Sequence, residues 1–250
     1  MQSVYTAKCG LISQQHRLNA ISNNIANVNT TGYKSSSVGF KDALYTQMLD
    51  PSEVDSGENL MQGSGLMLGA NNRDYSVGAT ATTAQKLDFY LNGDGYFTVK
   101  DGNGNSLYTR NGTFSVSSES EGRFLVNANG YYLLDTQGER ITLPEEETTI
   151  SVTPEGELSL GEDKSTKLNI VTFTNKDGLL HKGDSCFAAT DASGASKESD
   201  ARVIQGCIET SNVDLGSEMT KLLRTQRAYS IAASVLSTWN EMASVTNNIV

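Results

Sequence analysis

Both ends of this 250-residue chain are apolar in heptads and nearly free of charge, while the stretch between them is acidic and punctuated like β-structure. Near the N-terminus Val4, Leu11, Leu18 and Ile25 recur every seven residues, and Ala7, Gln14, Ile21 and Val28 follow each by three. That is the a/d spacing of a coiled-coil seam, which predicts a helix from about Gln2 to Asn27. Near the C-terminus Leu215, Leu222, Tyr229, Leu236 and Ala243 form one row, and Ala228, Ile231, Val235, Thr238, Met242, Val245 and Ile249 form a second. A helix with two apolar stripes needs partners on two sides. The expected fold is therefore α+β. Discontinuous terminal helices, 1–32 and 211–250, pair as a coiled coil around an inserted β-rich domain, 86–210, with an extended bridging segment at 33–85.

Charge follows the same division. Residues 1–40 hold Lys8, Arg17 and Lys34 and no acid, residues 211–250 are balanced, and the net charge of −10 therefore comes from the middle. Such a distribution contains no basic patch for nucleic acid, and the acidic centre reads as a solvated outer surface. The first residues lack the basic and apolar regions of a cleavable signal, and Ser, Thr and Asn interrupt 228–250 too often for a bilayer span. The three cysteines, Cys9, Cys186 and Cys207, are too widely spaced for a metal or redox motif and are expected to pack as small hydrophobes.

Twenty-three glycines against three prolines suit short strands and tight turns. Strands are expected at 87–91, 96–99, 107–110, 113–116, 123–126, 131–134, 149–152 and 168–174, with a last pair at 186–190 and 202–209. Asn92-Gly93, Asp94-Gly95, Asn111-Gly112, Asn129-Gly130 and Asp177-Gly178 supply the turn signals between them. Ser211, Asn212 and Asp214 before Leu215, with Glu218 in the first turn, mark the start of the last helix. The five asparagines Asn19, Asn23, Asn24, Asn27 and Asn29 weaken the first helix, because Asn side chains compete for backbone hydrogen bonds.

Candidate chemistry is sparse. Asp101-Gly102-Asn103-Gly104-Asn105 begins like a calcium loop but has Ser106 where glycine is required and Gly112 where glutamate is required, so a polar hairpin turn is expected. Adjacent carboxylates at Glu145, Glu146 and Glu147 alternate faces in a strand and do not converge. His16 and His181 have no ligand-spaced neighbours on their own elements. The run from Gly63 to Gly69 matches neither a dinucleotide fingerprint nor a phosphate loop. No enzymatic centre and no cofactor are expected. Gln14, Asn24, Gln226, Asn240 and Asn247 either fix register as buried amides or face solvent, and the spacing leaves both open.

The run from Leu18 to Lys34, which includes Asn23, Asn24, Asn27, Thr31 and Gly32, resembles the N-terminal signature of the bacterial flagellar rod and hook protein family. Glu209 to Asp214, with Ser211 and Asn212, and Gln226-Arg227-Ala228-Tyr229 resemble its C-terminal signature. Gly93 to Phe97 and Tyr108 to Phe114 are similar to its β-domain motif. Within the family, Phe40 to Tyr45 followed by a stretch reaching Gly63 to Leu66 is similar to the distal-rod members, although Asp50 to Leu60 is unusually acidic for them. The resemblance implies a structural subunit of the basal-body rod that polymerises into a hollow helical shaft, transmits torque and passes exported subunits. Implied partners are further copies of the chain, neighbouring rod, hook and ring proteins, and the flagellar type III export apparatus. Implied placement is extracytoplasmic, without a cleaved signal. The alternatives are a proximal rod or hook subunit, a rod-associated cell-wall enzyme, and an adhesin-like binding domain.

Overall fold

The computed structural model describes residues 2–47, 61–119, 122–144, 150–160 and 165–249. The acidic run from Asp50 to Leu60 and the triad Glu145 to Glu147 lie outside them. The chain forms two compact units, a helical one made of Met1–Ala26, Ser36–Arg73 and Asp214–Val250, and a β one made of Asn27–Ser35 and Asp74–Val213.

In the helical unit, α1 runs Gln2–Ala26 and α2 runs Leu215–Ile249, and the two pack against each other. Asp214 caps α2, its Oδ1 accepting the Gly216 N–H at 3.1 Å. The inner faces are small and polar as much as apolar. Ser13, Ile21 and Asn24 of α1 and Glu218 and Thr225 of α2 are buried, and Leu222, Ala228, Ala232, Leu236, Trp239 and Ala243 are half-buried. Of the first row Leu222, Leu236 and Ala243 thus lie inward, with Thr225, Ala232 and Trp239 beside them, and Leu215 and Tyr229 are exposed; of the second stripe Ala228 is half-buried and Ile231, Val235, Thr238, Met242 and Val245 are exposed.

The segment expected to be extended and irregular contains paired strands. Ser36–Asp42 runs antiparallel to Leu66–Arg73 with an irregularity between Val38 and Phe40, and Tyr45–Gln47 pairs with Met61–Gly63. Both longer strands rest on α1. Glycine serves close approach here, since a Cβ on Gly69 would lie 3.0 Å from the Gly39 carbonyl oxygen.

The β unit is built around an antiparallel sheet whose strand Tyr96–Lys100 pairs with Ser106–Thr109, Tyr132–Leu133 and Ile170–Thr172. Phe114–Glu119 and Gly122–Asn127 form a further ladder of that sheet. Phe97, Val99, Leu125 and Leu133 of these strands join Phe89 and Leu91 of the strand Phe89–Asn92 in the main core, and Tyr96, Val171, Phe173, Leu179 and Phe187 make a second cluster. Two expectations need correction. The strands Cys186–Ala188 and Arg202–Gln205 do not pair with each other; the first joins Leu180–Gly183 and Ser106–Thr109, the second Phe89–Asn92. Nor is Asn111-Gly112 a hairpin turn. It is an irregular stretch where Phe89 N–H bonds the Gly112 carbonyl at 2.9 Å, and the backbones lie so close that a Cβ on Gly112 would fall 1.7 Å from the Phe89 oxygen. Asn129-Gly130 does turn a hairpin, with Gly130 at φ +79° and Asn127 Oδ1 accepting the N–H groups of Asn129 and Tyr131.

Candidate functional site

Two features of the chain concentrate what its sequence singled out. The first is the outer side of α2. Ile231 is 66 % exposed, Met242 62 %, Val235 52 % and Val245 57 %, and Leu215, Met219, Leu223 and Tyr229 are also exposed. Contiguous exposed aliphatic side chains on one helix are the ordinary mark of an interaction surface. Val4, Leu11, Leu18 and Ile25 on α1 are half-buried, as is Val28 in the chain that follows it. The side chain of Ile249 lies outside the described set.

The second is a polar network in the β unit that the signature residues themselves form. Glu209, 2 % exposed, sits at the end of Cys207–Glu209, which pairs with Thr80–Thr82. Its Oε1 accepts Lys34 Nζ at 2.5 Å and the Gly78 N–H at 2.8 Å. Arg110 Nε lies 3.0 Å from Oε2, an ion pair in which the N–H is not aligned on the oxygen. Arg110 is held by its other arm, NH1 donating to the carbonyls of Gly93 and Gly95 at 2.8 and 2.7 Å. Lys34 also donates to the Ser76 carbonyl at 2.6 Å. Burial pushes the Lys34 ammonium below its ordinary value, and the Glu209 charge opposes that fall.

The signature residues around this node take up the remaining bonds. Gly32, at φ +66°, donates its N–H to the Glu209 carbonyl at 2.9 Å, and Thr31 Oγ1 donates to Asn111 Oδ1 at 2.9 Å. Asn212 Oδ1 accepts the Ser35 N–H at 2.7 Å and its Nδ2 donates to the Asp74 carbonyl at 2.9 Å. Ser211 Oγ accepts the Val213 N–H. In the helical unit Asn24 plays a parallel part. It bonds both the N–H and the carbonyl of Ser36, at 3.0 and 2.8 Å, and its Nδ2 reaches Glu218 Oε2 at 3.2 Å. Of the amides whose role the spacing left open, Asn24 is buried, Gln14 is half-buried, and Gln226 and Asn240 are exposed. Asn23 and Arg227 are exposed, and Asn27 and Ala228 half-buried.

Sequence reasoning quoted Lys34, Arg110 and Glu209 inside three separate motifs without seeing that they meet. The available signal was the lone charge of two of the motifs, Lys34 in 18–34 and Arg110 in 108–114, beside Glu209 and Asp214 in the third. Nothing in local spacing links positions 34, 110 and 209.

The Asp101 to Asn105 loop is a turn closed by Gly104 N–H to the Asp101 carbonyl at 2.9 Å. His16 is exposed, and His181 packs edge-on against Phe187 at 5.4 Å. The three cysteines are free thiols. Among the described residues no cluster of His, Cys, Asp and Glu could hold a metal ion, and no helix is long and apolar enough to cross a membrane.

Three family models match, in chain order. Residues 4–34 match the flagella basal body rod protein, 90–160 the flagellar hook protein FlgE/F/G D1 domain, and 204–249 the flagellar basal body rod FlgEFG protein C-terminal. Terminal helices that flank a β-rich middle in the sequence, with matches on all three parts, define a flagellar axial protein of the hook and rod class. The flagellar basal-body rod proteins FlgG of Buchnera aphidicola from Acyrthosiphon pisum, Agrobacterium fabrum and Bacillus subtilis are each 33% identical to the chain. The alignments cover 96–99% of this chain and 96–98% of the relatives. The chain belongs to the flagellar basal-body rod protein FlgG family. It is a structural subunit of the distal rod and not an enzyme.

Proposed function

We propose that the helical unit is the polymerisation device of this rod subunit, α1 and α2 pairing as a coiled coil inside each subunit and joining further copies into a hollow helical shaft. The observation that carries this is the exposed aliphatic row of α2, Ile231, Val235, Met242 and Val245, together with an apolar hollow of about 230 Å³ between the helices that Val4, Ala7, Leu236 and Trp239 line. A monomer leaves both open to water, and burying aliphatic surface between copies would supply roughly 25 cal/mol per Å². Side-by-side contacts that repeat without closing a ring build an open helix. Val4, Leu11, Leu18, Ile21 and Ile25 of α1 and Leu215, Leu222, Tyr229, Leu236 and Ile249 of α2 are the remaining residues assigned to this seam, with Val28 just beyond α1.

The shaft so built would transmit torque and pass exported subunits along its bore. It would adjoin rod, hook and ring proteins outside the cytoplasm, its subunits delivered by the flagellar type III apparatus without signal cleavage. The hairpin of Tyr45–Gln47 and Met61–Gly63, beside the 87 % exposed Leu44, is assigned to contacts between subunits.

Ile231→Asp and Val235→Asp test the reading. Each is expected to abolish sedimentable polymer while leaving monomer stability within about 0.5 kcal/mol, as surface substitutions do. Undiminished polymer from the double variant would overturn it.

A further inference from the structure

The chain passes between its two units four times, after Ala26, Ser35, Arg73 and Val213. On the β side all four passages enter the network around Glu209. Residues 27–35 are tied by Gly32 and Lys34 to Glu209 and by Ser35 to Asn212. The passage after Arg73 is tied by Asp74 N–H to the Ser35 carbonyl at 2.9 Å and by Asn212 to the Asp74 carbonyl. The last passage carries Glu209 and Asn212 themselves.

The bonds that hold this clamp are polar. Among the described residues of 27–35 no apolar side chain is fully buried, so the connector is ordered by hydrogen bonds and one ion cluster rather than by a core. Its partners are far apart in sequence, Lys34 and Glu209 by 175 residues and Thr31 and Asn111 by 80. Local bonds, Thr30 N–H to the Asn27 carbonyl at 3.1 Å and Tyr33 N–H to the Thr30 carbonyl at 3.3 Å, close a turn in the connector but do not hold Gly32, Lys34 or Ser35 in place. Those residues must wait until Cys207–Glu209 has docked beside Thr80–Thr82 and delivered the carboxylate. Without that carboxylate, Lys34 and Arg110 are two buried cations facing each other, a costly arrangement that opening the connector relieves.

We propose that Glu209, with Lys34 and Arg110, is a latch that gathers the four passages into one ordered clamp, and that a subunit with the latch open cannot enter the polymer. The second half rests on the polymerisation proposed above. The latch makes joining the shaft conditional on a completed β unit.

Hydrogen exchange on the monomer reads the latch directly, because the N–H groups of Gly32, Ser35, Asp74 and Gly78 all bond within it. In Glu209→Gln these four are expected to exchange at least about a hundredfold faster, the size of effect that breaking a buried ion pair produces, while amides of Tyr96–Lys100 keep their wild-type rates. The variant is expected to lose sedimentable polymer although every apolar residue of α2 is intact. Asn212→Ala, which removes bonds without stranding a charge, is expected to speed Ser35 roughly tenfold. It carries the test if Glu209→Gln fails to fold. Unchanged exchange at the four amides, or an equal rise in Tyr96–Lys100, would overturn the latch. Normal polymer from a variant whose connector exchanges fast would overturn its link to assembly. A wild-type chain that shows the exchange pattern but never sediments would instead sink the polymer reading, and the assembly half with it.

Discussion

Gly32 and Gly130 share a backbone conformation but not a neighbourhood, and the difference separates two costs that a sequence cannot tell apart. Both sit at positive φ, +66° and +79°. A Cβ on Gly130 would meet nothing within 4 Å, whereas on Gly32 it would lie 2.7 Å from Asn111 N and 2.8 Å from the Arg110 carbonyl carbon. Gly130→Ala is expected to cost about 1 kcal/mol, the ordinary left-handed penalty, and Gly32→Ala a further ~1–3 kcal/mol from overpacking, measured as the shift in denaturant midpoint of the β unit. Equal losses would mean that the connector relaxes away at no cost. Cys186 gives a second residue-scale test. Burial raises its thiol from an ordinary 9.0 to about 11, so the folded chain holds this proton more tightly than the unfolded one. The sign is that this stabilisation is fully present below about pH 9 and is lost as pH rises through about 11. At pH 8 its thiolate fraction falls about a hundredfold, and alkylation is expected to mark the half-buried Cys9 and Cys207 well before Cys186. That all three pack as free thiols was legible in their spacing. That Glu209 gathers Lys34 and Arg110 was not, because a buried ion cluster between residues 175 apart leaves no local pattern.

Helices declared themselves and the paired strands of 36–73 did not, for reasons that lie in their side chains. The start of α2 was written in Asp214 and Glu218, and Asp214→Ala is expected to cost ~1 kcal/mol with faster exchange at Gly216, whose N–H the aspartate accepts. An unchanged Gly216 would show that Ser211 or another group replaces the cap. The strand Leu66–Arg73, by contrast, carries Gly69, Asn71 and Asn72, residues poor in β propensity, and its partner strand is irregular at Gly39. No alternation survives to be read. The inner row of α2 was legible in Leu222, Leu236 and Ala243, but the groups packed inward beside it, Thr225, Ala232 and Glu218, are small or polar, and only the packing of α1 reveals them. The exposed stripe was legible because it is aliphatic, which is what a surface awaiting a partner requires.

The two units differ most in how they are held. Nearly every fully buried apolar side chain belongs to the β unit, where Phe89, Phe97, Leu125, Leu133 and Leu158 are completely enclosed. Among the described residues of the helical unit Ile21 is the one buried apolar side chain, and the other buried side chains are Ser13, Asn24, Glu218 and Thr225. Burial drives folding roughly in proportion to apolar area, so the helices draw little stability from within one subunit. Cover from other copies would supply it, and the helical unit would then be ordered by the same event that adds the subunit to the shaft. The monomer is accordingly expected to unfold in two stages. Helical ellipticity should fall first in a broad transition, and the near-ultraviolet signal of the β unit should follow cooperatively at higher temperature. Exchange should be fast across α1 and α2 and slow from about Leu87 to Glu209, and polymerisation should slow the helices to the rate of the sheet. A single coincident transition by both probes, or helices as protected in the monomer as the sheet, would mean that the terminal pair is stable by itself and that assembly adds contacts without adding order.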